Sequence, residues 1–496
     1  MVRRFLAAYS ILLLSFLAVA DNWPFITLAT APFRPPQLHV TKTGNTDPGY
    51  IFIGPRGNQE QGTAALIYSD DGHLVYQGPT EVVANFKVQR LFNQDVITFW
   101  AGDMMTLGFG YGTVHVLDNT YREIYTVTLP GNFISPDGSH QDSYIDLHES
   151  RVTNRNTLLV TAYNVTQHNL TSIGGKPDDY MLDGLFFEID IATNEIVHSW
   201  SALEHLGDIP LEKSKQVLGD GFGTLENPWD AYHINSVEVV DNGYLISLRH
   251  YWSGIYVYNN GSVGWQLSGE KGAGDFEIDD AAVFSWQHDM CVYNLTQEGM
   301  VLNLFNNANT PSDEVAATTG LSLSVDLVNH KVTALRVLDN KGDEIHSVSQ
   351  GSYQLLSEQT NHVFLGYGSI ARVKEFDANN NQILSAQFGD DNAVASYRGF
   401  KYQWKATPFW KPALVVQRAP NDLFLAFMSW NGATEYDNWA VYSVPSQDSD
   451  DTTFLKSVPR VAFETRVDLT GLNTSFLQVV ARKGDTPLGT SPIVSF

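Results

Sequence analysis

Five short apolar stretches, each introduced by a polar turn, recur along this 496-residue chain at near-constant spacing. They lie at residues 94–100, 156–162, 242–248, 299–305 and 361–367, and are rich in Val, Ile, Leu, Phe and Tyr. Measured between their central residues Ile97, Leu159, Leu245, Leu302 and Phe364, the gaps are 62, 86, 57 and 62 residues. Each core is followed by another strand-like stretch ending in a hairpin turn, as at residues 114–125, 186–197, 255–265 and 373–384. A unit of this size with almost no 3.6-residue periodicity cannot bury its apolar faces alone and must stack on its neighbours. The pattern predicts an all-β β-propeller of four-stranded blades, six when a unit near residues 50–78 and a closing strand are added. Stacked sandwiches are the alternative, which the regular spacing disfavours. The long gap predicts an insertion from about Leu170 to Pro228, with short helices near residues 201–206 and 210–217. The repeat fades after Trp404, and Pro408, Pro412 and Pro420 mark a linker region. Apolar stretches at 423–427, 439–443, 463–467 and 476–481 then suffice for a small C-terminal fibronectin-like β-sandwich. The expected domains are 21–410 and 411–496.

Residues 1–20 read as a signal peptide: Arg3 and Arg4, an apolar run, then Ala18-Val19-Ala20 as a cleavage site. No other apolar run approaches the length of a membrane span, so the expectation is a secreted, extracellular protein. Five Asn-x-Ser/Thr sequons, at Asn164, Asn169, Asn260, Asn294 and Asn473, fit a glycoprotein. The single cysteine, Cys291, excludes an intramolecular disulfide and any cysteine-rich metal cluster. The net charge of −25, or −27 once Arg3 and Arg4 are removed, argues against a nucleic-acid partner.

Against this acidic background three histidines fall at one phase of the repeat. His148, His233 and His288 precede their central strand residues by 11, 12 and 14 positions, and Arg249 follows the Leu245 strand directly. Equivalent positions of a propeller converge on its channel, so these groups predict an anion pocket. A His₃ metal site is the second reading and a structural cap on each blade the third. Arg249 disfavours the metal, since a fixed cation beside a metal ion is repelled. Trp100, Trp252 and Trp286 are candidates for aromatic walls, though buried Trp is most often core.

The strings Asp230-Ala-Tyr-His-Ile-Asn-Ser-Val237, Tyr244-Leu-Ile-Ser-Leu-Arg-His250, Trp265-Gln-Leu-Ser-Gly269 and Trp286-Gln-His-Asp289 resemble the arylsulfotransferase family, whose members use an aryl sulfate directly as donor. Phe99-Trp-Ala-Gly102, Gly108-Phe-Gly-Tyr-Gly112 and Ser429-Trp-Asn-Gly-Ala-Thr-Glu435 are similar to its secreted fungal branch. The resemblance implies a six-bladed propeller with its site in the channel. It implies His288 as a nucleophile passing through a sulfohistidine, His233, Asn235 and Arg249 as ligands of the sulfuryl oxygens, and His148 as a further channel histidine. It implies aryl sulfate and phenol substrates and no cofactor. The physics agrees: sulfuryl transfer resembles phosphoryl transfer, so catalysis is positioning and electrostatics around a neutral imidazole.

Other chemistries lack their motifs. The chain has no G-x-x-x-x-G-K-[ST] loop, no G-x-S-x-G elbow, no H-E-x-x-H, and no Cys-x-Pro-x-Arg at Cys291. Asp377-Ala-Asn-Asn-Asn381 lacks the later Gly and Glu of a calcium loop and reads as a hairpin turn. A non-catalytic secreted propeller that binds an anionic or aromatic ligand or a cell-wall component remains the alternative, with a glycoside hydrolase a weaker third.

Overall fold

The computed structural model describes residues 23–57, 63–314, 316–339, 341–391, 393–419, 423–471 and 474–496. The leader at 1–20 and the sequon at Asn473 lie outside them.

Among the described residues the chain is all-β, with only five single-turn 3₁₀ segments. Six sheets of four or five strands follow one another, each built on a four-stranded antiparallel meander, two of them with an added edge strand, of which Glu277–Ile278 pairs in parallel. Sheet A joins Val394–Tyr402 to Tyr50–Gly57, Ala64–Ser69 and Leu74–Thr80. Sheet B runs Val83–Leu91, Gln94–Met104, Gly110–Leu117, Glu123–Val127, and sheet C runs Ser150–Val152, Thr157–His168, Asp179–Asp190, Ile196–Ser201. Sheet D holds Ile234–Val240, Gly243–Leu248, Ser253–Tyr258 and Val263–Ser268. Sheet E holds His288–Tyr293, Gly299–Asn306, Thr319–Asp326 and Lys331–Leu338, edged by Glu277–Ile278. Sheet F holds Ser352–Leu355, Val363–Gly366, Arg372–Phe376 and Gln382–Gln387, edged by His39–Lys42.

The five repeat cores are in every case the second strand of a sheet. They are mostly apolar because both faces are covered; Gly243–Leu248 is buried at every residue. The cover comes from the neighbouring sheets. Separate apolar clusters fill the spaces between B and C, C and D, D and E, E and F, F and A, and A and B, so the sheets close on themselves. Left-handed residues make the tight turns, among them Asn93 (φ 61°) and Gly261 (φ 89°).

The first, or leading, strands form a second closed circuit, of hydrogen bonds. Gln89 Nε2 donates to Ser150 O (2.9 Å), Arg151 to Glu238 (3.0 Å), Met290 N–H to Ser236 Oγ (3.2 Å), Tyr353 N–H to Asp289 (3.0 Å), Ser352 Oγ to Gly399 O (2.8 Å) and Arg398 to Asn85 (2.8 Å).

The long sequence gap is not a free insertion. It contains the twelve-residue strands Thr157–His168 and Asp179–Asp190, paired along their whole length, and Ile196–Ser201. Residues 169–178 and 202–233 are irregular, and the expected helices shrink to 3₁₀ turns at Ala202–His205 and Leu211–Lys213. Beyond residue 411 two further sheets share a core around Trp430 and Trp439. They dock on the ring through Gly432 N–H to Val75 O (2.8 Å) and Tyr121 OH to Gly432 O (2.9 Å).

Candidate active site

The leading strands run between two cavities of similar size. At their C-terminal ends a cavity of about 470 Å³ is walled by Lys87, Arg151, Asp289, Cys291, Tyr353 and Tyr402. At their N-terminal ends a cavity of about 460 Å³ has His148, His233, Arg249 and His288 in its walls. A buried ionic plug lies alongside. Arg398 Nη1 is 3.1 Å from Glu149 and 3.4 Å from Asp289, and Lys87 is 3.1 Å from Glu149. Burial alone would raise the Glu149 carboxyl, but Arg398, Lys87 and Arg151 hold it well below its usual range. The charges around the first cavity therefore balance one another. The Cys291 thiol there accepts from Arg151 Nη2 at 2.9 Å, and burial pushes the thiol up, so it is an inert group.

The second cavity has groups with free capacity. His148 and His233 pack edge to face with ring centroids 4.6 Å apart, and His233 and His288 are 6.5 Å apart. Each imidazole stands at the start of the leading strand of its sheet, in C, D and E, so three sheets deliver three rings to one place. His148 Nδ1 lies 2.5 Å from Asp146 Oδ2, a carboxylate fixed by Thr161 Oγ1 (2.8 Å) and the Gly110 N–H (2.9 Å). His233 Nδ1 lies 2.6 Å from Asp230 Oδ2. His288 Nδ1 instead faces an amide oxygen, Asn307 Oδ1, at 2.7 Å. Tyr397 closes the side, 5.5 Å from the His148 ring and 6.4 Å from that of His288.

Burial, reinforced by Arg249 and by the neighbouring imidazoles, lowers His233 and His288 well below the ordinary histidine range. Both are neutral near pH 7, which leaves a nitrogen lone pair on each. Burial brings Arg249 down to about 10, still a cation. Its guanidinium donates to His250 Nε2 (2.9 Å) and Val348 O (3.0 Å) and lies 5.1 Å from the Trp286 ring, while Nε has no partner. Asp230, His233 and His250 are close enough to ligate a metal ion. Their donors are committed, however: Asp230 to the His233 ring, and His250 Nε2 to the Arg249 cation.

Four of the candidate residues do not line the cavity. Trp100 is not a wall of the cavity. It is fully buried, donates to Ile145 O (2.8 Å) and belongs to the core between B and C. Gly102, Gly110 and Gly112 fold over it, and a Cβ at Gly112 would lie 2.7 Å from its ring, so those glycines serve packing. Asn235 is also off the cavity: it is fully buried and donates to Gln287 O at 2.6 Å, bridging D and E. Trp286 and Trp252 stand behind the cavity wall, Trp286 against Arg249 and Trp252 against Trp286 at 5.4 Å. Of the sequons, Asn169, Asn260 and Asn294 are exposed. Asn164 is half-buried, its Oδ1 accepting from the Ile134 N–H at 2.8 Å.

Several wall or supporting residues carry no repeat signal: Asp146, Asp230, His250, Asn307, Gln350 and Tyr397. The two aspartates are two and three residues before a histidine, a spacing that short-range reading can find. Asn307 is 19 residues from its partner. Non-glycine residues with left-handed backbone gather here, with φ of 54° at His233, 54° at Trp286, 51° at Asp289 and 65° at Gln350. Such strain is held where geometry matters. Apolar residues, Met104, Leu107, Phe222, Pro228 and Pro311, line the rest of the cavity.

No curated protein matches the sequence. Solved structures similar to it include a protein of unknown function from Bacteroides caccae, at 10% identity and TM-score 0.38, covering 72% of this chain and 99% of that one. A catalytically inactive virginiamycin B lyase from Staphylococcus aureus matches at 9% identity and TM-score 0.30, covering 79% and 96%. A GH43 protein from Bacillus licheniformis matches at 7% identity and TM-score 0.33, covering 91% of each chain. The family model of arylsulfotransferase (ASST) matches residues 87–389, more than half of the chain and all of the His–Arg wall, and the chain belongs to that family.

Proposed function

We propose that this sulfotransferase-type enzyme moves a sulfuryl group from an aryl sulfate to a phenolic acceptor through a sulfohistidine at His288. The observation that carries the reading is the convergence of a neutral His288, the Arg249 guanidinium and two carboxylate-backed imidazoles on one cavity. The apolar remainder of the cavity suits an aromatic ring, and the polar groups suit the sulfate on it.

In the first half-reaction the His288 Nε2 lone pair forms the S–N bond. The S–O bond to the aryl group breaks and its electron pair leaves on the phenolate oxygen. Arg249 stabilises the charge on the equatorial oxygens. His148, its ring held through Nδ1 by the Asp146 carboxylate, gives the departing oxygen its proton. The acceptor phenol returns a proton to the same nitrogen, its oxygen takes the sulfur, and the N–S pair goes back to Nε2. His233, 4.6 Å from His148 and held neutral, does not compete for the charge.

In this reading the six sheets are the blades of a six-bladed propeller around a central channel, and the sheets beyond residue 411 form a small β-sandwich. The protein is secreted and glycosylated, as the leader and sequons suggest. The test is incubation with a chromogenic phenyl sulfate and a phenol. Phenolate release with sulfation of the acceptor is expected, together with an acid-labile sulfuryl group on the His288 peptide and loss of turnover in His288→Ala. No turnover with any aryl sulfate would favour the non-catalytic binding protein.

A further inference from the structure

His288 is gripped on both ring nitrogens. Asn307 is fully buried, and its amide has one orientation. Nδ2 donates to Ser347 O at 3.1 Å and to Gln350 O at 2.9 Å, so Oδ1 must face the imidazole and accept its Nδ1–H. The lone pair is thereby placed on Nε2. That nitrogen accepts the backbone N–H of Gln350 at 3.2 Å, a long bond.

The turn that supplies this N–H is tightly constrained. Gln350 takes φ 65° and Gly351 φ 113°; a Cβ at Gly351 would lie 2.3 Å from the Phe305 ring. A Cβ at Gly368 would lie 2.4 Å from the Gln350 carbonyl carbon, and Gly351 N–H is held by Tyr397 O at 2.9 Å.

The three cavity histidines thus differ in what backs them: carboxylates at His148 and His233, a neutral amide at His288. We propose that Asn307 is a positioning residue which presents His288 Nε2 and keeps its sulfuryl adduct labile, and that the Gln350 N–H passes from Nε2 to a sulfuryl oxygen as the S–N bond forms. This rests on the reading of His288 as the sulfuryl acceptor. When Nε2 attacks, the proton on Nδ1 stays, so the adduct is an N-sulfoimidazolium whose positive charge makes the imidazole a good leaving group. A carboxylate behind Nδ1 would stabilise that charge and slow the second half-reaction; an amide oxygen orients the ring without doing so. The Gln350 N–H, released when the Nε2 pair is used, is already beside the arriving oxygens.

The experiment compares Asn307→Asp and Asn307→Leu with the wild type, all checked for native fold by circular dichroism and thermal melting. In Asn307→Asp the burst of phenolate should persist, steady-state turnover should fall roughly tenfold to a hundredfold, and sulfohistidine should accumulate. The acid limb of its pH profile should move towards neutral, in a site that also holds Arg249, His233, His148, His250, Tyr397 and the carboxylates Asp230 and Asp146. In Asn307→Leu the same fall in kcat is expected with KM for the donor unchanged. Imidazole ¹⁵N spectra should show His288 as the Nδ1–H tautomer in the wild type and a tautomer mixture in Asn307→Leu. A folded Asn307→Asp with wild-type turnover and no accumulated adduct would overturn the inference while leaving the transfer reaction standing. An Nε2–H tautomer in the wild-type spectra would overturn it without any activity measurement. A wild type that never forms sulfohistidine would overturn both.

Discussion

Arg249 sits where three demands meet. It is desolvated, it stacks on Trp286, and it donates to His250 and to a backbone carbonyl. A lysine has neither the planar fork nor the stacking face, so Arg249→Lys should fold but lose about a hundredfold in kcat, with a smaller change in KM. An unchanged kcat would remove Arg249 from the transition state. At this scale the sequence was informative where chemistry recurs in register. His148, His233 and His288 were readable because one repeat position carries one residue type. Asn307 was not, since it meets His288 from the far end of the next strand, and a lone asparagine has no signature. Trp100 misled because a tryptophan in a strand reads the same whether its ring faces a ligand or a neighbouring strand.

The leading strands convert sheet order into chemistry. Each enters the ring at the histidine cavity and leaves at the opposite one, and Arg398 stitches four of them through Glu149, Asp289, Asn85 and Asn235 O. Removing that guanidinium strands two buried carboxylates. Arg398→Met should therefore lower stability by about 3–5 kcal/mol in chemical unfolding. A loss under about 1 kcal/mol would show that water or Lys87 replaces it. The second strands were legible from composition, being covered on both faces and mostly apolar. The leading strands were not, because they mix polar groups with core residues; Ser150–Val152 also has only three residues.

Closure of the ring joins distant parts of the chain: Val394–Tyr402 pairs with Tyr50–Gly57, and Gln382–Gln387 with His39–Lys42. Glu464, from beyond the ring, binds the Ala29 and Thr30 N–H groups at 2.9 and 2.8 Å. Folding buries His233, His250 and His288 uncharged, with His250 lowered to about 3 by burial. In the unfolded chain these rings take up protons near 6.5. The unfolded state then binds more protons than the native one, so stability is lost as pH falls below that value and continues to fall towards 3. Melting temperature should decline from about pH 7 to about pH 5 at constant ionic strength. His250→Phe, which cannot titrate, should flatten part of that slope; a flat wild-type profile would contradict the buried neutral histidines.

By itself, the sequence determined the all-β class, the repeat and its second strands, the phase of the three histidines and the presence of Arg249 beside them. These follow from local pattern, since strand periodicity and repeat register are written within short windows. Tertiary structure alone decided which polar residues reach the cavity, that Trp100 and Asn235 do not, and that Asp146, Asp230 and Asn307 back the three rings. Those outcomes depend on sheets packed face to face around a ring, where residues 19 or 62 positions apart, such as His288 with Asn307 and Gln350, come within hydrogen-bonding distance.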